Sequence, residues 1–177
     1  MIHKGTKVLE TDRLVLRLFE ENDYIKAFEN YCYDERVTKY MTWYAHKNNL
    51  ETKELVKAWS NKYDNNKFYN WVITEKGINE AIGSLSIVDI NEEREEVEIG
   101  YCIGYNYWNK GYVTEALKKV IAYLFDEIQV KSIVAKHDSR NLASGRVMQK
   151  ANMEYYGQEY DVNKDEKILL LIYKISK

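Results

Sequence analysis

The sequence predicts an α+β fold, a mixed and mostly antiparallel sheet with helices packed on it. Three patterns carry that expectation. Short alternating apolar and polar runs, paired around turn signals, read as antiparallel hairpins. Val113 to Ile128 places Val113, Ala116, Leu117, Val120, Ile121, Leu124, Phe125 and Ile128 on the 3.6-residue period of a helix. That helix lies between two strand-like runs, so Glu96 to Lys136 reads as strand, helix and strand: a parallel pair with a right-handed crossover.

The elements follow in order. Arg13 to Phe19 alternates and reads as a strand. Asn22 or Asp23 caps a helix carrying Tyr24, Ala27, Phe28 and Tyr31 on one face. Thr38 to Asn49 is an aromatic loop holding Tyr40, Trp43, Tyr44 and His46. Leu50 to Tyr63 reads as a helix with Leu55, Ala58 and Trp59 inward. Phe68 to Thr74 and Ala81 to Ile90 are strands joined near Lys76-Gly77, and Asn91 to Glu96 is a hairpin turn. Glu96 to Tyr105 is the next strand, and Lys131 to Lys136 follows the long helix as another. Asn141 caps a helix to Asn152, and strands at Glu154 to Val162 and Lys167 to Ile175 close the chain around Asn163 to Glu166.

Length and composition narrow the function classes. At 177 residues the chain fits a single domain, residues 1–177, with a proper core. Net charge is -2 and no basic block is present, so a nucleic-acid partner is not expected. The longest apolar runs are too short to span a bilayer, and the first residues lack the apolar core of a signal peptide, so no membrane is expected and the cytoplasm is the expected compartment. Cys32 and Cys102 lack CxxC spacing, and His3, His46 and His137 are far apart, so no metal site is expected.

The stretch EIGYCIGYNYWNKGYVTEA, Glu98 to Ala116, concentrates the chemistry. Along its strand Val97, Ile99, Tyr101, Ile103 and Tyr105 alternate with Glu98, Gly100, Cys102 and Gly104. The second face is small apart from one carboxylate. It either leaves room for a ligand or packs tightly against a helix. The loop that follows opens onto the long helix, where unpaired N–H groups and the helix dipole favour an anion. Gly111 lets backbone approach a phosphate and Lys110 adds a cation. The loop is neither GxxxxGK[ST] nor GxGxxG.

The segment resembles the acyl-CoA loop of the GNAT N-acetyltransferases, Gln/Arg-x-x-Gly-x-Gly/Ala, with Trp108, Gly111 and Val113 on its three fixed places. WNKGYVTEA is similar to the run Trp-Gly-Lys-Gly-Tyr-Ala-Thr-Glu-Ala of the RimJ/RimL-type branch, the ribosomal-protein-alanine N-acetyltransferases, with Asn109 for Gly and Val113 for Ala. LETDRLVLRLFEENDY, VEIGYCIG and Asn141-Leu142-Ala143-Ser144 also resemble that branch, whereas Asn152-Met153 replaces its usual Gly-Phe.

The resemblance implies direct transfer of acetyl from acetyl-CoA to an amine acceptor, a protein N-terminus or a small molecule. Backbone N–H groups of Asn109, Lys110, Gly111, Tyr112, Val113 and Thr114 would hold the pyrophosphate. Trp108, on the first fixed place of the loop, is expected among the cofactor-binding residues. An N–H near Cys102 or Ile103 would face the thioester carbonyl, and Asn141 would contact the pantetheine arm. Glu98 is the candidate base, directly or through a water, since an alkyl ammonium near pKa ~10.4 is not nucleophilic. The family's usual Tyr donor is replaced by Met148, so Ser144 is expected at the departing sulfur, with Tyr105, Tyr107, Tyr155 and Tyr156 in reserve. A dimer is common in the family. Two other readings compete: a non-catalytic acyl-CoA-binding module of the same fold, and a nucleotide-binding domain unrelated to CoA.

Overall fold

Alternation sets the strands. In β2 (Leu14–Arg17) both leucines point inward and are fully buried. The computed structural model describes residues 1–177 and extends this pattern to eight strands. The others are β1 (Leu9–Glu10), β3 (Asn70–Glu75), β4 (Ala81–Asn91), β5 (Glu96–Ile103), β6 (Ser132–Asp138), β7 (Glu154–Asn163) and β8 (Glu166–Ser176). Their order is β1-β2-β3-β4-β5-β6-β8-β7, and only β5 and β6 run parallel. Helices are α1 (Asp23–Ala27), α2 (Glu35–Thr38), α3 (Asn49–Ser60), α4 (Tyr112–Tyr123) and α5 (Leu142–Lys150).

The apolar stripe of α4 decides the larger core. Val113, Ala116, Leu117, Val120 and Ile121 are buried against Val97, Ile99 and Ile103 of β5, with Met148 and Ala151 at α5 in the same cluster. The opposite face of the sheet is covered by α1 and α3, where Phe19, Ala27, Tyr31, Val56, Val72 and Cys102 form a second cluster. Each large aliphatic side chain so buried contributes roughly 1.5–3 kcal/mol.

A polar joint ties α1 to the sheet. Arg17 of β2 donates to both carboxylate oxygens of Asp23 at 2.7 and 2.8 Å, and Glu20 N–H donates to Asp23 at 2.7 Å. The two side chains are only 11% and 8% exposed. Asp23→Ala leaves the buried guanidinium without its charged partner, so urea unfolding should show a loss of about 3 kcal/mol. A loss under about 1 kcal/mol would mean that water replaces the carboxylate.

Several elements differ from the sequence expectation. The helix expected from Val113 to Ile128 is α-helical to Tyr123 and then widens into a π turn, Leu124–Ile128, ending at Gln129 in the left-handed region. The wider turn still buries Leu124 and Ile128. A second π turn, Phe28–Cys32, continues α1. β5 stops at Ile103, and Tyr105–Tyr107 is a 3-10 turn. On α3 the buried residues are Thr52 and Val56, while Ala58 is exposed. β1 and α2 are too short for periodicity to reveal.

The parallel pair does not stay together. β5 and β6 pair only from Glu96–Ser132 to Ile99–Ala135, although β5 continues to Ile103 and β6 to Asp138. Beyond Ile99 the strands diverge and leave a wedge between them.

Candidate active site

Beside the wedge lies the start of α4. Gly111 precedes the helix with φ 79°, and Asn109 also adopts positive φ, 60°. These two left-handed residues turn the loop so that the N–H groups from Asn109 to Thr114 donate no hydrogen bond, while Glu115 N–H is the first to bond back, to Gly111 O. Six consecutive donors are therefore free at the positive end of a helix dipole. Val113 is buried, so its extra bulk relative to Ala lies in the core and leaves the loop surface open.

The loop is held in place by contacts of its own residues and by Thr11 and Arg13, which lie between β1 and β2. Trp108 Nε1 donates to Ile103 O at 2.9 Å, and its ring lies 4.9 Å from Tyr105. Lys110 Nζ sits 5.1 Å from the Tyr107 ring centre. Arg13 donates to Lys110 O at 2.9 Å and to Glu115 at 2.7 Å, and Thr11 donates to Glu115 at 2.6 Å. Burial raises the Glu115 pKa, but the bonds from Thr11 and Arg13 bring it below its ordinary value. Arg13 and Glu115 were not singled out by sequence, because their meeting joins positions about a hundred residues apart.

Register decides which backbone faces the wedge. Gly104 N–H donates to Ile82 O on β4. Alternation then turns Cys102 toward its β4 partner Ser84, and turns Tyr101 and Ile103 away from β4, toward the wedge. Of the two residues expected to offer an N–H there, Ile103 does and Cys102 does not. The Cys102 thiol is buried against Ser84 Oγ at 3.3 Å, and burial pushes its pKa up, which makes it inert.

Tyr101 reaches across the wedge. Its hydroxyl donates to Ser144 O at 3.1 Å and lies 3.0 Å from Ser144 Oγ. Burial lifts its pKa well above the usual phenol range, partly offset by the Ser144 hydrogen bond. Ser144 lies in the first turn of α5, where Asn141 accepts its N–H at 3.3 Å as N-cap. The expected Ser144 thus stands at the wedge, paired with a tyrosine that sequence reasoning assigned only to the apolar face. Of the reserve tyrosines, Tyr155 and Tyr156 are exposed on the edge strand β7 and stand away from the wedge. Met148 is buried in the core.

Glu98 lies on the face of β5 opposite the α4 core. Its carboxylate is 3.0 Å from Lys136 Nζ, which is also 3.0 Å from Glu159 of β7. Burial lowers the Lys136 pKa, but the two carboxylates more than reverse this and hold it raised. The Glu98 side chain keeps 25% of its surface exposed. Further along, a Cβ on Gly104 would meet Asn30 O at 2.5 Å, so the π turn after α1 fills the space that the small residues leave.

At the far end of β6, Asp138 is 3% exposed and accepts from Arg140 N, Nε and Nη2 at 2.9, 2.9 and 2.6 Å. The Arg140 side chain holds the Asp138 pKa below its ordinary value. A depressed folded pKa stabilises fully above the unfolded value, ~3.9, and loses that contribution as pH falls through the folded value. Asp138→Asn should therefore be less stable than the parent at pH 7, with the gap closing below about pH 4. An equal gap at pH 3 and pH 7 in urea unfolding would remove the ion pair as its source.

The aromatic loop from Thr38 to Asn49 is packed. His46 N–H donates to Cys32 O, His46 Nδ1 is 2.7 Å from Thr52 Oγ1, and the Trp43 ring lies 5.6 Å from His46. The β7–β8 turn clasps it: Lys164 Nζ donates to Thr38 O at 2.7 Å and Asn163 Nδ2 to Met41 O at 3.2 Å.

Comparison with known proteins gives the same picture. Residues 13–154 match the family model described as acetyltransferase (GNAT) domain. The protein YkkB of Bacillus subtilis is 35% identical over 152 residues, 83% of this chain and 85% of YkkB. A GNAT-family acetyltransferase from Bacillus anthracis superposes with a TM-score of 0.85 at 26% identity, over 96% of this chain and 98% of that one. RimL, the ribosomal L7/L12 α-N-protein acetyltransferase, solved with coenzyme A, shares the fold with a TM-score of 0.84 at 16% identity, over 96% and 98%.

Proposed function

The chain belongs to the GNAT acetyltransferases, enzymes that use acetyl-CoA, and we propose that it transfers acetyl directly to the primary amine of a protein N-terminus or a small molecule. The observation that carries this reading is the run of six free N–H groups at a helix start beside a wedge between parallel strands. That arrangement fits a ligand with a pyrophosphate at one end and a thin reactive arm at the other.

Each residue has a role under this reading. The N–H groups of Asn109 to Thr114 hold the pyrophosphate, with Lys110 as a nearby cation. Bound acetyl-CoA supplies the acetyl group as a thioester. Ile103 and Tyr101 present their N–H groups toward the wedge, where negative charge develops on the carbonyl oxygen. The hydroxyls of Ser144 and Tyr101 serve the departing sulfur, Tyr101 keeping its proton because it is buried. Asn141 holds Ser144 and the mouth of the wedge. Glu98 takes the amine proton, directly or through a water. The seat that Glu98 and Glu159 give Lys136 supports this role, since the same carboxylates can face an alkyl ammonium. The description of RimL as an α-N-protein acetyltransferase supports a protein N-terminus as acceptor.

One observation favours a second reading, a non-catalytic acyl-CoA-binding module: Glu98 is already engaged by Lys136. Calorimetric titration with acetyl-CoA, with CoA and ATP as controls, tests the first step. Acetyl-CoA binding without ATP binding is expected; binding of ATP in its place would favour a nucleotide domain. Thiol release with any amine then removes the non-catalytic reading, and no release across a broad amine panel would establish it.

A further inference from the structure

A basic hollow of about 600 Å³ lies under the aromatic loop, with Lys39, Lys47, Lys164 and Tyr44 on its walls. None of the three lysines has a carboxylate partner within ion-pair distance, whereas Lys136 has two. Lys164 donates one N–H to Thr38 O and keeps two, and its ammonium lies 4.9 Å from the Tyr44 ring centre. Burial lowers the Lys164 pKa, a cost that a bound anion would relieve. One carboxylate, Glu35, is also on the wall, which leaves three cations against one anion.

The hollow lies on the same side of the sheet as Glu98, at the end toward which the parallel strands diverge. β7 connects the two places. Glu159 contacts Lys136 beside Glu98, and Lys164 sits five residues further on, at the β7–β8 turn. At roughly 3.3 Å per residue the two poles are about 16 Å apart. The acidic pole suits an ammonium and the basic pole suits an anion. An extended peptide covers that distance in about five residues.

Resting on the acetyltransferase reading above, we propose that the acceptor is a peptide or protein N-terminus with an acidic side chain about four to six residues after the reacting amine, held by Lys39, Lys47 and Lys164. The Lys164 contact to Thr38 fixes the hollow relative to the β7 edge, so the distance between the poles is set by the folded chain. Long-range complementarity of this kind acts mainly on substrate capture and is weakened by salt.

The test uses the full chain, acetyl-CoA and two peptides with the same free N-terminal residues, one with Asp at positions four to six and one with Asn. Thiol release should give the acidic peptide a kcat/KM about tenfold higher, the combined effect of two or three exposed ion pairs. The advantage should shrink with added salt. The double variant Lys39→Glu, Lys47→Glu changes two exposed side chains and should lose the preference, turn over the Asn peptide as before and accept a Lys-bearing peptide better. Its acetyl-CoA affinity should be unchanged. Equal kcat/KM for both peptides overturns the proposal, and so does a preference that survives the double variant. Loss of acetyl-CoA affinity in that variant would assign the hollow to the cofactor instead. Turnover of small amines but of neither peptide overturns the acceptor class and leaves the acetyltransferase reading standing. Acetyl-CoA binding with no turnover of any amine overturns both.

Discussion

Gly111→Asp is expected to lower acetyl-CoA affinity at least about a hundredfold in calorimetric titration while the protein stays folded. Two facts separate binding from stability here. Gly111 is exposed with φ 79°, a conformation that Asp tolerates better than most residues. A Cβ there meets only Arg13 Nη2, at 3.5 Å. The fold should therefore accept the side chain, with a change in thermal midpoint of a few degrees at most, as expected for roughly 1 kcal/mol in a chain of this size. The new carboxylate stands among the six N–H donors and repels the pyrophosphate they would hold. Each charge-assisted hydrogen bond is worth roughly 1.5–3 kcal/mol, so losing two of them already accounts for a hundredfold. Unchanged affinity in a folded variant would move the cofactor away from the α4 loop.

Glu98→Gln is expected to lower kcat by about 10²-fold or more, the scale of general base catalysis, with acetyl-CoA affinity nearly unchanged. The amide keeps the size and can still accept a hydrogen bond from Lys136, and Glu159 stays as the ammonium's second partner. A structural failure would reach both kcat and cofactor binding; loss of a base should reach kcat alone and change the pH–rate profile. If the variant turns over at the parent rate, Glu98 serves only as a strut for Lys136. The base must then be sought elsewhere along the wedge.

Much of this molecule was legible in the chain. The periodicity of Val113 to Ile121 marks α4 because a helix with one apolar stripe must bury it. The position of that helix between two strands implies the parallel pair, because a crossover needs its length. Asn141 as N-cap follows from side-chain chemistry confined to three residues. Gly111 as the left-handed turn into α4 follows for the same local reason. These signals are short-range, and tertiary packing does not overrule them.

Tertiary structure decided whatever depends on where strands meet. The choice of Ile103 over Cys102 at the wedge follows from the register between β4 and β5, which no single strand contains. The partnership of Tyr101 with Ser144 spans 43 residues, and that of Glu98 with Lys136 and Glu159 joins three strands. The small face of β5, readable either as ligand space or as packing, is packed at Gly104 by the π turn and carries the partly exposed Glu98–Lys136 ion pair. Sequence by itself determined the longer helices and strands and the glycine turn before α4, because each rests on contacts within a few residues. Only the folded sheet, by fixing distances between residues far apart in the chain, decided which side chains share the site.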